Sequence, residues 1–154
     1  MSTTLVQEYF QKINREDLEI MEFTVSSATV ELAAKAVGVE PGMIAKSLSF
    51  KLKEGGAVVI VLAGTARLSN RKFKDFFGCR AKMLKPEETE DITGHAVGGV
   101  CPFGLKDGVK VYLDNSLKAY DIVYPDAGAA NNAVRIQVSE FADITKGEWV
   151  DLSE

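Results

Sequence analysis

Lys46 is the first residue whose surroundings suggest chemistry. In the run Ile44-Ala45-Lys46-Ser47-Leu48-Ser49-Phe50-Lys51-Leu52, a period of two puts Ile44, Lys46, Leu48, Phe50 and Leu52 on one face of a strand. An ammonium among four large hydrophobes is costly to desolvate unless it is paired or lines a cavity. Desolvation would lower its pKa, and a nearby carboxylate would hold it charged. The alternative is a strand-end lysine whose stem packs inward while the ammonium reaches water. The second stretch is Gly94-His95-Ala96-Val97-Gly98-Gly99-Val100-Cys101-Pro102-Phe103-Gly104-Leu105, with four glycines and a proline in twelve residues. Neither helix nor strand favours that composition. The stretch is nearly uncharged, so it is no solvated linker. Gly98 and Gly99 leave their amides unshielded by a Cβ, and successive N–H groups in such a turn can hold a carbonyl oxygen or an anion. A tight turn packing Val97, Val100 and Phe103 would have the same composition.

Other reactive residue types carry less. His95 invites a general-base role, but a lone histidine at a loop mouth is more often structural. Cys101 as a nucleophile would have only His95, six residues away on the same loop, as its base. No spacing argues for a Ser-His-Asp arrangement. No phosphate-binding or dinucleotide glycine pattern follows a strand. Cys79 and Cys101 form no C-x-x-C pair, and one histidine cannot complete a zinc site with them, so neither a metal nor a cofactor is expected. The run Asp126 to Asn132 is small and polar. It reads as a plain loop or as the floor of a small pocket.

The elements that must position these residues follow from periodicity. Leu5, Val6, Tyr9, Phe10 and Ile13 predict an amphipathic helix over 3–13, packed on the domain surface. Leu18 to Val25 reads as a strand. Ser26 or Ser27 would cap a helix presenting Val30, Ala33, Ala34 and Val37, stopped by Gly38. Pro41-Gly42 makes a turn into the lysine strand, and Gly55-Gly56 a hairpin out of it. Ala57 to Ala63 is unbroken apolar and predicts a central strand buried on both faces. Ser69 would cap a helix with Phe73, Phe76 and Phe77 on its core face, ending at Gly78. Cys79 to Leu84 is a short strand candidate. Pro86 opens an acidic helix that Gly94 ends. Lys110 to Asp114, Tyr120 to Tyr124 and Ala133 to Val138 read as strands, and Ser139 as the cap of a last short helix.

At 154 residues, with 46% hydrophobic and 26% charged residues, the chain fits one soluble globular domain. No apolar run approaches a membrane span, and no signal peptide is visible. A reduced, cytoplasmic chain is expected. The net charge of −4 argues against generic nucleic-acid affinity. The charge is uneven, however. From Arg67 to Lys85 there are seven basic residues against Asp75 alone, a local +6 that leaves −10 elsewhere. Such a patch can bind nucleic acid locally, or be a solvated helix face.

Three motifs carry a resemblance. Gly98-Gly99-Val100-Cys101-Pro102 resembles the Gly-x-x-x-Pro loop of the YbaK/prolyl-tRNA-synthetase-associated editing domains, which hydrolyse mischarged aminoacyl-tRNA. Ile44-Ala45-Lys46-Ser47-Leu48 is similar to the family's lysine-bearing strand. Tyr124-Pro125-Asp126-Ala127-Gly128 followed by Ala133-Val134-Arg135-Ile136 is the third. All three occur in the family's order and spacing, and the likeness runs from about Leu18 to Thr145.

The resemblance implies a single domain over 1–154 of mixed α/β (α+β) class: a curved, mostly antiparallel sheet or barrel with surrounding helices. It implies a trans-editing aminoacyl-tRNA deacylase for a small amino acid, with Lys46 catalytic. Ser47, Gly98, Gly99, Val100, Cys101, Pro102, Asp126 and Gly128 would contact substrate, and Arg67, Arg71, Lys72 and Lys74 would meet tRNA. A substrate ribose hydroxyl would assist the water. The implied partner is the acceptor end of a mischarged tRNA, with an aminoacyl-tRNA synthetase as a second candidate. A non-catalytic module that binds tRNA or an aminoacyl ligand is the alternative. The chain departs from the family at Asp126. Members that remove cysteine tend to have serine there, and alanine-specific members tend to carry a histidine-proline pair near Tyr124-Pro125. Asp126 could bind an α-ammonium or a side-chain hydroxyl, or cap a turn. The small residues Ala127 to Ala130 favour alanine, serine or threonine.

Overall fold

Seven successive apolar residues, Ala57 to Ala63, run through the centre of the fold, and all are buried. The computed structural model describes residues 2–154. In chain order its elements are α1 (Ser2–Lys12), β1 (Ile20–Glu22), α2 (Val30–Val37), β2 (Ile44–Lys51), β3 (Ala57–Ala63), α3 (Asn70–Phe77) and α4 (Pro86–Thr93). There follow β4 (Val109–Asp114), β5 (Ile122–Pro125), β6 (Asn132–Val134), β7 (Ile136–Gln137), α5 (Val138–Thr145) and β8 (Glu148–Val150). The main sheet has the order β7-β5-β2-β3-β4-β8, and β1 pairs with β6 apart from it. The expected mixed α/β class with a curled sheet is what forms. Its pairing is more evenly mixed than expected. β2–β3, β5–β7 and β1–β6 are antiparallel, while β2–β5, β3–β4 and β4–β8 are parallel.

β3 divides the interior by its period of two. Val59, Val61 and Ala63 face a core shared with α1, α5 and Phe103, whereas Val58, Ile60 and Leu62 face one shared with Phe50 of β2 and Phe73 of α3. The second core lies on the face of β2 that carries Lys46, as its alternation requires. Ala33 and Ala34 of α2 pack with Ile44 in a third, smaller cluster.

α1 packs on the domain surface as expected, with Leu5, Gln7, Glu8, Gln11 and Lys12 exposed on its outer face; on its inner face Val6 and Phe10 are buried, and the Phe10 ring meets Phe103 edge-on at 5.0 Å. It is packed directly under the glycine stretch. Several expectations change. The strand expected over Leu18–Val25 shrinks to three residues, because only Ile20, Met21 and Glu22 have partners in β6. Thr29, not Ser26 or Ser27, caps α2, its Oγ1 accepting from Leu32 N at 3.2 Å. The strand expected over Ala133–Val138 breaks at Arg135, since β6 pairs with β1 and β7 with β5. The α5 cap falls at Gln137 rather than Ser139. Cys79–Leu84 makes only a bridge, Met83 opposite Phe50. On α3, Phe73 is buried, but Phe76 is 47% exposed and meets Tyr112 and Phe77 edge-on. Ser69, Gly38, Gly78 and Gly94 take their expected capping places.

Candidate active site

The site forms where β2 runs short of neighbours. On the side away from β3, β5 pairs only with Ile44 and Ala45. Further along, Leu84 N donates to Ser49 O at 3.1 Å and Lys51 N to Lys82 O at 2.8 Å. Ser49 and Lys51 therefore turn their peptide groups away from β3, and Ser47, at the same alternation, does so too. Its groups face an interval that no strand fills. Its Oγ is also buried, without a partner among the described residues. A cavity of about 560 Å³ occupies this interval. Its walls are β2 from Ile44 to Ser49, the segment entering α2 (Ser27 to Val30), Met83 and Leu84, Thr89 of α4, the glycine loop, and Asp126. A Lys51–Glu88 ion pair at 3.0 Å pins α4 to β2 beside it.

Among the described residues, Lys46 is the only basic side chain on that wall, and Asp126 the only acidic one. The Lys46 ammonium donates to Ala66 O at 2.5 Å and Gly64 O at 3.2 Å. Two of its three N–H groups are thus held by the turn after β3, which fixes the third. It is half-buried, not snorkelling to bulk water. Burial lowers its pKa, with Glu31 opposing that shift and Arg67 adding to it.

The glycine loop is clasped at its base. His95 is fully buried, its Nε2–H donating to Phe103 O at 2.7 Å and its backbone N to Thr93 Oγ1 at 3.1 Å. Burial holds its imidazole below the ordinary value, partly offset by the Phe103 carbonyl. Within the clasp, Gly98 has φ +91° and Gly99 N bonds Ala96 O at 2.9 Å. A Cβ on Gly99 would lie 2.7 Å from Gly128 O, so the loop backbone packs on the backbone of the Asp126 segment. Glycine at 99 is a requirement of that approach.

The Asp126 segment is locked by Asn132, which is 1% exposed. Asn132 Oδ1 accepts from Ala127 N at 3.0 Å, and its Nδ2 donates to Ala127 O at 3.1 Å. Ser27 N adds a bond to Ala130 O at 2.6 Å. Asp126 itself has no hydrogen-bond or ion-pair partner among the described residues, and burial pushes its carboxyl up to about 8. It caps no turn.

Of the expected substrate contacts, Lys46, Ser47, Gly98, Val100 and Asp126 line the cavity together. Gly99, Cys101, Pro102 and Gly128 are buried behind that wall. Cys101 is withdrawn into the core at 0% exposure, 3.5 Å from His95 Nε2, and burial drives its thiol pKa far up. A thiol so placed is inert, and His95 is no accessible base. Arg67 follows the Ala66 carbonyl that holds Lys46; it is exposed and acts electrostatically on Lys46, but it is not part of the cavity wall. Arg71 and Lys74 are exposed on α3 and without an ion-pair partner among the described residues. Lys72 differs from them in being engaged already: its ammonium bonds Asp151 at 2.9 Å and Ser153 O at 2.7 Å. The sequence reading missed Asn132, for which spacing offers no signal, and the wall supplied by Met83, Leu84 and Thr89. No helix among the described residues is long and apolar enough to cross a membrane.

Comparison with known proteins agrees with this geometry. The profile of the aminoacyl-tRNA editing domain matches residues 24–144. "Uncharacterized protein YwhH" of Bacillus subtilis (strain 168) is 43% identical, over 99% of this chain and 97% of its own. The "Putative Cys-tRNA(Pro)/Cys-tRNA(Cys) deacylase EbsC" of Enterococcus faecalis (strain ATCC 700802 / V583) is 26% identical, over 81% of this chain and 77% of its own. A solved structure titled "Crystal structure of a putative trans-editing enzyme for prolyl tRNA synthetase" superposes with a TM-score of 0.91 at 33% identity, covering 99% of this chain and 97% of that one. Profile, relatives and fold agree over the segments that build the cavity, and the chain belongs to the aminoacyl-tRNA editing domain family.

Proposed function

We propose that this chain is a cytoplasmic aminoacyl-tRNA deacylase, acting in trans on tRNA mischarged with a small amino acid. The observation that carries this reading is the Lys46 ammonium, held on two backbone carbonyls at the wall of a cavity shared with the glycine loop and Asp126. Ester hydrolysis needs little more than placement of an already activated carbonyl. Water adds to the carbonyl carbon, an oxyanion develops, and the acyl–oxygen bond breaks to release the amino acid and the 3′-hydroxyl. Lys46 supports the anionic ribose-phosphate end or the developing oxyanion, and the Gly98 and Val100 peptide groups the carbonyl side. His95 and Cys101 are sealed in the core, which supports a reaction in which the substrate's own ribose hydroxyl assists the water. Arg67, Arg71 and Lys74 meet the acceptor stem, and a synthetase is a candidate partner.

The competing reading is a module that binds the aminoacyl end without hydrolysis. It is favoured by the structural duty of Lys46, whose bonds to Gly64 O and Ala66 O also hold the turn after β3. Deacylation of tRNAs charged with alanine, serine, threonine, cysteine and proline separates the two. The deacylase reading expects turnover of at least one small-residue charge. Binding of charged tRNA with no turnover of any would support the module.

A further inference from the structure

We propose that Asp126 receives the free α-ammonium of the aminoacyl group, so that the cavity selects ligands whose amine is unblocked. The proposal rests on the reading that the cavity takes an aminoacyl ester. Among the described residues, Asp126 is the single acid on a wall otherwise built from apolar side chains, hydroxyls and Lys46. Its carboxyl has no partner among the described residues, although a desolvated carboxylate is costly unless a cation meets it. The residue that follows it, Ala127, is held at both its backbone N–H and its backbone C=O by Asn132, so the chain that carries the carboxyl to the cavity wall is fixed in place. Lys46 does not serve as that cation. Its own contacts are the Gly64 and Ala66 carbonyls, and the charges acting on it are Glu31 and Arg67.

Acid and base thus stand as separate poles of one cavity. An aminoacyl ester has the matching polarity, with an ammonium on the carbon next to the reacting carbonyl and phosphate beyond the ribose. A carboxyl raised to about 8 by burial faces an α-amine whose ordinary value is about 7.7–8.0. Brought together, each charge stabilises the other and the ion-paired form prevails. A charge-assisted bond of this kind is stronger than one to a neutral side-chain hydroxyl.

The test is binding, independent of turnover. The probes are the non-hydrolysable 3′-L-alanylamide of 3′-amino-3′-deoxyadenosine and its propionyl counterpart, which differ only in the α-amine. Wild type, Asp126→Asn and Asp126→Ala are titrated by calorimetry, each checked by thermal melting. Wild type is expected to prefer the alanyl compound by about tenfold or more, and either variant to bind the two alike. Equal binding by wild type, binding of neither compound, or a preference that survives in a folded variant would overturn the proposal. So would a variant that keeps the amine preference but alters seryl against alanyl binding, which would assign Asp126 to the amino-acid side chain. The wild-type comparison decides even if neither variant folds. If wild type deacylates charged tRNA yet binds the two compounds equally, the amine site fails and the deacylase stands. If it deacylates none yet prefers the amine, the reverse holds.

Discussion

Asn132 grips the backbone of Ala127 at two points, accepting from its N–H at 3.0 Å and donating to its carbonyl at 3.1 Å. The residue just before Ala127 is Asp126. One fully buried amide thereby converts a run of small residues into a defined cavity wall. Truncation would strand a buried N–H and a buried C=O together, and each orphaned group costs about 1–3 kcal/mol. Asn132→Ala should therefore lose about 2 kcal/mol or more in denaturant unfolding. It should also weaken ligand binding without touching ligand. Asn132→Asp keeps the acceptor but buries a carboxylate against the Ala127 carbonyl, so near neutral pH it should lose at least as much.

Asp126 makes stability depend on pH in an unusual direction. Its carboxyl rises from 3.8 to about 8 in the folded chain. Between those values the folded state keeps a proton that the unfolded state has released, so stability falls as pH rises through the window and is flat on either side. Asparagine cannot ionise. The melting temperatures of Asp126→Asn and wild type should nearly coincide at about pH 4, with the variant higher at about pH 9. A constant difference across that range would place the carboxyl in water.

The basic segment should divide by side chain. Arg67, Arg71 and Lys74 are exposed, whereas Lys72 is tied to Asp151 and Ser153. Neutralising the first three should weaken tRNA binding and lower the slope of log K against log salt by about two to three, since each phosphate contact contributes about 0.7–0.9. Lys72→Ala should leave that slope unchanged and act on stability. It removes a surface ion pair worth about 1 kcal/mol or less, together with the bond to Ser153 O.

Much of this was legible in the chain because it is local. Period two alone put Lys46 among hydrophobes, and the unbroken Ala57–Ala63 run could only be a central strand. Gly38, Gly78 and Gly94 end helices wherever they occur. The glycine loop declared itself by composition. What was not legible depends on partners distant in sequence. The interval beside Ser47 exists because β5 stops at Pro125 and the bridge to β2 begins at Met83, and neither fact is written near residue 47. The inner face of α1 is covered because Phe103 and Ile144 come to meet it. Lys72 looks like its neighbours until Asp151, far along the chain, takes its charge. Asp126 was ambiguous for the same reason, since only the structure shows that no turn N–H uses its carboxylate.

The most direct test of the account is the rate at which Lys46→Ala deacylates the charged tRNA that wild type prefers. Lys46 also holds the Gly64 and Ala66 carbonyls, so thermal melting must show the variant folded, with Lys46→Met as a second version that retains the apolar stem. The account predicts a fall of about 100-fold or more in single-turnover rate, as for loss of one preorganised donor to a developing oxyanion, with tRNA affinity largely kept through the Arg67–Lys74 surface. A folded variant that hydrolyses within about threefold of wild type would contradict it, because a missing donor at the reacting atoms cannot be that cheap.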